Sequence, residues 1–107
     1  MNFRVQVAEP AKADLAGIVA YVARELCNPT AAERLFEAFA SAMRGLALQP
    51  ERFPRVPVLP WRDRGYHIRP VGNYVIVFHV DSAGHVATIE RIFHSLQDWP
   101  SELEFLE

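Results

Sequence analysis

The chain of 107 residues is 50% hydrophobic and 22% charged, a balance that excludes an intrinsically disordered protein. A formal net charge of −2 argues against a protein that coats nucleic acid, because such proteins carry a strongly basic balance. The length predicts a single domain over residues 1–107. With no apolar run near the roughly 20 residues that span a bilayer, no signal-peptide pattern and Cys27 as the lone cysteine, we expect a cytoplasmic protein without membrane contact or disulfide.

The first half of the chain predicts a short strand and two helices. Apolar and polar residues alternate over residues 3–7, which is typical of a strand. Pro10 suits the first turn of a helix, where its missing N–H is harmless. Asn28 can cap a second helix that begins at Pro29, and the proline ends the first helix. Residues 10–48 therefore predict an α-hairpin whose two apolar stripes are Leu15, Ile18, Val19, Val22 and Leu26, and Leu35, Phe36, Phe39, Met43 and Leu46.

A proline-rich segment follows over residues 49–64, where a proline recurs every three or four positions. This spacing excludes both a helix and a central strand, because proline has no backbone N–H to donate. We predict an extended surface segment whose side chains Phe53, Val56 and Leu59 touch the core.

Three strands are predicted over residues 65–70, 74–80 and 86–93, and Pro100 opens a short helical turn near the end. The element order is β-α-α-β-β-β. The fold class is α+β, with the α-hairpin packed on one face of a small, mostly antiparallel sheet and the first strand at a sheet edge.

The strand over residues 65–70 alternates between apolar and cationic side chains. Tyr66 and Ile68 form its apolar face, and His67 and Arg69 form its cationic face. We therefore expect His67 and Arg69 to point away from the core, on a sheet face that the helices leave open. Such a face is a candidate surface for an anion or a protein partner, although an ordinary solvated face would show the same pattern.

A set of residues spread in order over roughly 90 positions carries more information than any one of them. Its members are Ala11-Lys12-Ala13-Asp14-Leu15, Ile18, Tyr21, Leu26-Cys27-Asn28-Pro29, Ala31-Ala32, Ala42-Met43, Leu46, Pro50, Phe53-Pro54, Gly65-Tyr66, Arg69, Asn73-Tyr74, Val77-Phe78, Val80-Asp81, Ile89-Glu90-Arg91-Ile92-Phe93-His94 and Asp98. In this set the chain resembles the RelE/ParE superfamily of bacterial toxins. The resemblance implies the fold just described and a cognate antitoxin that binds the toxin in a hetero-oligomeric complex.

The superfamily has two activities, and the chain departs from one of them. RelE-like members cleave mRNA on the ribosome with sheet-face cations and a C-terminal tyrosine or histidine, whereas ParE-like members inhibit DNA gyrase. Val75 stands where the RelE-like pattern has arginine, neither Leu96 nor Gln97 is basic, and no tyrosine or histidine follows Trp99. The resemblance therefore favours a ParE-like plasmid-stabilisation toxin that inhibits gyrase by binding, with no catalytic residues and no cofactor.

Two alternatives stay open at this stage. In a ribosome-dependent mRNA endonuclease, Arg69, His67 and His94 would be the catalytic residues. In a family member that has lost its toxicity, the chain would survive as an antitoxin partner.

The predicted target contacts are Arg64, His67, Arg69, Arg91, His94 and Trp99. Each has a structural alternative, such as an ion pair for Arg91, a strand-end role for His94 and core packing for Trp99. The histidines and Cys27 show no i, i+3 or i, i+4 spacing, so we predict no metal site.

Overall fold

The fold is given by a computed structural model that describes residues 2–106, apart from the side chain of Phe105. The regular elements are β1 (Arg4–Val7), α1 (Glu9–Arg24), α2 (Pro29–Gly45), β2 (Tyr66–Val71), β3 (Tyr74–Asp81) and β4 (Val86–His94). Three 3-10 helices lie at Pro50–Arg52, Trp61–Arg64 and Trp99–Phe105. This order confirms the predicted β-α-α-β-β-β arrangement and the α+β class.

The four strands form one sheet in the order β1-β4-β3-β2. The pairs β2–β3 and β3–β4 are antiparallel, as their short connections require. β1 lies at an edge, parallel to β4, which confirms the predicted edge position. A β-bulge interrupts the β3–β4 pair, because Val77 lies opposite Arg91 and Phe78 opposite Ile89. Glu90 is therefore the extra residue of the bulge.

The α-hairpin forms for the reasons that the sequence indicated. The side chain of Asn28 accepts a hydrogen bond from the backbone N–H of Ala31 at 3.1 Å, so it caps α2 immediately before Pro29. α1 ends at Arg24, and the chain reaches Asn28 through Cys27, which has a left-handed φ of 50°. The hairpin packs on one sheet face and buries Phe39 and Leu46 there, whereas Leu26 and Phe36 of the predicted stripes are exposed.

The core between the α-hairpin and the sheet, here called the helix-side core, consists mainly of apolar side chains. Its buried members are Ala11, Phe39, Ala42, Leu46, Ile76, Phe78, Val80, Ile89 and Ile92. Because both helices contribute to it, the hairpin and the sheet are held together by side chains from distant parts of the chain.

A second core covers the opposite face of the sheet, which we had predicted to be open. It consists of Val56, Tyr66, Val75, Val77, Phe93 and Leu103. The proline-rich segment supplies Val56 and runs beside β2, where the Val56 N–H donates to the Tyr66 carbonyl and the Ile68 N–H donates to the Pro54 carbonyl. The segment thus covers both the sheet face and part of its edge. The prediction that Leu59 touches the core is wrong, since this side chain is 54% exposed.

Within residues 2–106, no helix is both long enough and apolar enough to cross a membrane.

Candidate target-binding surfaces

His67 lies inside the protein, so the prediction that it points away from the core is wrong. Only 4% of the residue is exposed. Its ring stacks on Phe78 with centroids 5.5 Å apart, and its Nδ1 lies 2.9 Å from the carbonyl oxygen of Phe53. The strand register explains the error, because His67 lies opposite Phe78 and so faces the helix-side core. Both faces of β2 are covered, and a two-residue alternation cannot say which face meets the helices.

Arg69 lies on the same side of β2 as His67, which also contradicts the predicted orientation. Its Cζ lies 5.2 Å from the ring centre of Phe53, and its Nη1 donates to the carbonyl of Pro70. The residue is half-buried, near the open end of the strand. Arg52 approaches the same ring, with its Cζ 4.6 Å from the centre. The sequence-based prediction of target contacts does not include Arg52.

Arg64 is exposed at the end of the 3-10 helix that precedes β2. The next residue is Gly65, with a φ of 85°. A Cβ there would lie 3.1 Å from the Val80 carbonyl oxygen and 3.3 Å from Nε2 of His79, so only glycine fits this turn. The tight turn directs the chain from the exposed Arg64 into the buried start of β2.

Arg91 forms the structural ion pair that was its alternative role. Its Nε and Nη2 donate to the two carboxylate oxygens of Asp14 at 2.7 and 3.1 Å. These hydrogen bonds raise the pKa of Arg91 above its ordinary value, and burial opposes them. Asp14 also accepts the backbone N–H of Ile92 at 2.9 Å. One carboxylate of α1 therefore binds both the side chain and the backbone of β4.

His94 ends β4 beside Tyr74, with ring centroids 5.2 Å apart. Its Nδ1 accepts the backbone N–H of Leu96 at 3.1 Å, and its own N–H donates to Oε1 of Gln97 at 3.4 Å. Among the contacts found over residues 2–106, none joins His94 to Arg69. The structure therefore does not bring together the His94 and Arg69 of the nuclease alternative.

A groove of about 520 Å³ lies between α1 and the end of β4, and we call it the β4 groove. Its lining residues come from the two elements and the turns beside them: Ala13, Asp14, Gly17, Ile18, Tyr21, Tyr74, Arg91, Ile92, Phe93, His94 and Gln97. Of the predicted target contacts, the groove brings together only Arg91 and His94. Part of its polar lining is engaged internally, since the Asp14 carboxylate holds Arg91 and Oε1 of Gln97 accepts the N–H of His94.

Trp99 packs on the second core rather than in the β4 groove. It is half-buried, and its ring is stacked on Phe93 with centroids 6.3 Å apart and planes inclined by 20°. The other tryptophan, Trp61, donates from Nε1 to the carbonyl of Leu106 at 3.1 Å. Both aromatic residues thus hold the C-terminal segment against the sheet.

The described part of the chain offers little of the equipment for phosphoryl transfer or metal chemistry. No group of three or more histidines, cysteines or carboxylates within residues 2–106 could hold a metal ion. Arg91 is neutralised by Asp14, and His67 is buried. Arg69 has a second cation, Arg52, over the same ring, but the histidine two residues before it is stacked inside the protein.

A sequence model of the ParE toxin of the type II toxin–antitoxin system parDE matches residues 5–99. The chain belongs to the ParE toxin family. This membership confirms the superfamily to which the residue pattern pointed, and it makes the chain a toxin of a type II toxin–antitoxin system. No curated protein sequence matches the toxin.

Solved structures share the fold of this toxin at low sequence identity. A chain of a chromosomal ParDE toxin–antitoxin system from P. aeruginosa has a TM-score of 0.70 and 19% identity, over 86% of the toxin and 95% of that chain. A chain of the RelBE2 toxin–antitoxin complex from Mycobacterium tuberculosis has a TM-score of 0.66 and 17% identity, over 88% and 99%. A chain of the archaeal RelE–RelB complex from Pyrococcus horikoshii has a TM-score of 0.59 and 16% identity, over 89% and 97%. Both branches of the superfamily therefore share this architecture, and the fold does not separate them.

Three residues of these surfaces escaped the sequence-based site prediction: Asp14, Arg52 and Gln97. Asp14 belongs to the run through which the chain resembles the superfamily, and that signal could have found it. Its partner Arg91 lies 77 positions further along the chain, so no local pattern links them. Arg52 and Gln97 have no such signal.

Proposed function

We propose that this toxin acts in the cytoplasm as a single domain that inhibits DNA gyrase by binding to it, without chemistry of its own. The observation that carries this proposal is that the candidate catalytic residues Arg69, His67 and His94 do not form one site. Among these, His67 is stacked and hydrogen-bonded inside the protein. Arg91, a predicted target contact that could have supplied a further cation, is paired with Asp14. The remaining nuclease candidates, Arg69 and His94, contact different neighbours.

Cleavage of RNA at a 2′-hydroxyl needs a base and several cations around one phosphate, because negative charge builds up in the transition state. Loss of one such donor typically lowers a rate by about 100-fold. A site that has the guanidinium groups of Arg52 and Arg69, but whose neighbouring histidine His67 is stacked inside the protein, would therefore cleave RNA very slowly. Binding to a protein needs no such set, which is why we favour the gyrase-inhibiting branch.

We propose Arg64, Arg69 and His94 as target contacts, because each has part of its side chain at the surface. Trp99 and Arg91 would affect target binding only indirectly. Trp99 packs on Phe93, and Arg91 forms part of the wall of the β4 groove. We do not retain His67, since a side chain this buried cannot meet a partner in the present fold.

A cognate antitoxin is the second proposed partner, in a hetero-oligomeric complex that neutralises the toxin. Two of the similar chains come from solved toxin–antitoxin complexes, and a third comes from a ParDE toxin–antitoxin system. The α-hairpin of the toxin supports such a partner, because it exposes large apolar side chains: Tyr21 is 56% exposed, Leu26 57% and Phe36 46%. Apolar surface of this kind is typical of a region that another protein covers.

Two assays run side by side test the mode of action. The purified toxin is added to a gyrase supercoiling reaction, and in parallel to translating ribosomes whose mRNA is then mapped by primer extension. We expect supercoiling to stop and the mRNA to stay intact. Arg69→Gln should weaken inhibition while Arg34→Gln, a change at an exposed arginine in α2, should not. Cut transcripts with normal supercoiling would instead establish the nuclease activity.

A further inference from the structure

Two guanidinium groups lie against a single aromatic ring at the open end of β2. The Cζ atoms of Arg52 and Arg69 are 4.6 and 5.2 Å from the ring centre of Phe53, so they lie within about 10 Å of each other. Each ring contact has the geometry of a cation–π interaction. We call Arg52 and Arg69, together with the Phe53 ring that both contact, the Phe53 arginine pair.

Neither arginine is neutralised within residues 2–106. The ion pairs found there are Lys12–Glu9, Arg62–Asp63 and Arg91–Asp14. The nearest carboxylate in sequence, Glu51, accepts a hydrogen bond from the hydroxyl of Ser82 at 3.0 Å instead. Both guanidinium groups thus contact one ring with no carboxylate in ion-pair range among residues 2–106, so an anionic ligand would meet local positive charge there.

The guanidinium groups retain hydrogen-bond donors for such a ligand. Arg52 donates from Nη1 to the carbonyl of Leu48, and Arg69 donates from Nη1 to the carbonyl of Pro70. A guanidinium carries five N–H donors in a planar fork, so most of them are left over in each case. This fork matches the two oxygens of a carboxylate.

The Phe53 ring that both arginines contact is itself held against the core, so this platform exists before a ligand arrives. Phe53 meets Phe78 edge-on at 6.2 Å, and its carbonyl is 2.9 Å from Nδ1 of the buried His67. Binding of a ligand would therefore cost little conformational entropy at Phe53. The buried His67 thus has a structural role at this site, because its ring binds the backbone of Phe53, the residue that both arginines contact.

We propose that the Phe53 arginine pair binds a carboxylate-bearing, acidic segment of a protein partner. This deepens the proposed function, on which it rests for the expectation that the partner is a protein. A phosphodiester chain is disfavoured because the neighbouring arginines do not extend the pair into a basic track. Arg62 is paired with Asp63, so a carboxylate interrupts a track of arginines along this segment. Single-stranded nucleic acid needs a continuous positive groove.

The test measures the fluorescence anisotropy of a labelled glutamate-rich peptide mixed with the full-length toxin. A peptide with glutamine in place of each glutamate and a labelled single-stranded RNA are measured in parallel. We expect the toxin to bind the acidic peptide, and to bind it less tightly as salt is added. The Arg52→Gln/Arg69→Gln variant should lose about tenfold or more in affinity, because it removes two charge-assisted contacts. Arg34→Gln, the matched control, should bind like the wild type.

Lysine substitutions keep the test valid if the glutamine variant unfolds. Arg52→Lys/Arg69→Lys retains both charges but loses the planar fork, so we expect a smaller loss of affinity and an unchanged melting curve. The inference is overturned if the toxin binds the glutamate and glutamine peptides equally or binds neither. It is also overturned if the toxin binds RNA and the glutamine variant loses that binding. Gyrase plays no part in this measurement, so a toxin that binds the peptide but leaves supercoiling untouched refutes the proposed target alone.

Discussion

Asp14 of α1 and Arg91 of β4 form a two-point ion pair across the open end of the sheet, with N–O distances of 2.7 and 3.1 Å. The side chains are 17% and 26% exposed, so water screens the pair only in part. The same carboxylate accepts the N–H of Ile92, at a stretch of β4 that β1 no longer covers. The pair therefore attaches the α-hairpin to the sheet where main-chain pairing ends.

Replacing Asp14 should destabilise the toxin far more than breaking an exposed ion pair. Asp14→Ala leaves Arg91 without its partner and the Ile92 N–H without an acceptor, so we expect a loss of about 2–4 kcal/mol in the free energy of unfolding. Lys12→Ala breaks the exposed pair with Glu9 and should cost under about 0.5 kcal/mol. Urea denaturation measures both changes. Similar midpoints for the two variants would show that the Asp14–Arg91 pair contributes little.

The elements of the fold were predictable because their signals are local. Asn28 and Pro29 mark the junction of the helices by capping and by the geometry of proline, and the structure has the junction there. The order of strands follows from short turns that allow only antiparallel neighbours. Each of these inferences uses residues a few positions apart in the chain.

The orientation of β2 was not predictable, because it depends on segments far away. Val56 and Leu103 cover the sheet face that we expected to be open. The sequence predicts that Val56 touches the core, but no local pattern says which face of the sheet it covers. Once both faces are covered, His67 and Tyr66 are both buried, and their alternation no longer separates inside from outside. The candidate site was therefore misplaced on the sheet even though the strand itself was correct.

His67 should behave as a structural residue when it is replaced. His67→Ala removes a ring that stacks on Phe78 and a hydrogen bond to the Phe53 carbonyl. We expect a loss of about 2–4 kcal/mol in stability, since a buried side chain leaves a cavity behind. Arg69→Gln, on the same strand, should shift the unfolding midpoint only slightly. A His67→Ala variant that melts like the wild type and has lost its toxicity would instead make His67 a functional residue.

Glu90 gives stability a dependence on pH. Burial raises the pKa of Glu90 above its ordinary value, and the charge of His79 acts in the opposite direction. The folded chain thus holds this proton more tightly than the unfolded chain does, so stability falls as pH rises from the ordinary pKa through the raised one. Glu90→Gln should remove that loss, with a gain of about 0.5 kcal/mol or less at neutral pH because the side chain is half-exposed.

Thermal unfolding of wild type and Glu90→Gln at about pH 3 and about pH 7 measures this difference, since glutamate is protonated only at the lower value. The two proteins should melt together in acid and separate at neutral pH, with the variant more stable. Glu33→Gln, a change at an exposed position of α2, is the control and should leave both curves in place. A variant that is less stable at neutral pH would show that the carboxylate is favoured in the folded state.

Phe39 should be among the residues that the helix-side core tolerates least. It is fully buried on α2 and meets Tyr74 edge-on at 5.5 Å. Phe39→Ala should cost about 3–5 kcal/mol, close to the whole stability of a small domain. Phe39→Leu keeps most of the volume and should cost clearly less. Circular dichroism during heating separates the two, and a normal melting curve for Phe39→Ala would contradict the packing described here.

The toxin should self-associate through the free edge of β4 when the side chains that bind the backbone of this edge are removed. β1 pairs with β4 only as far as Ile89, and beyond it the N–H groups of Ile92 and His94 are covered by Asp14 and Gln97. Exposed strand edges recruit other strands, and natural proteins block them with polar side chains. The Asp14→Ala/Gln97→Ala variant should therefore sediment faster than the wild type as its concentration rises.

The matched control keeps an oxygen acceptor at both positions of this edge. Asp14→Asn/Gln97→Glu can still accept from the N–H groups of Ile92 and His94, so it should sediment like the wild type even though its charges differ. Association of the alanine variant alone would assign the effect to the uncovered backbone rather than to charge or to lost stability. If the two variants sediment alike, Asp14 and Gln97 do not protect this edge, and the role of Asp14 is confined to its ion pair with Arg91.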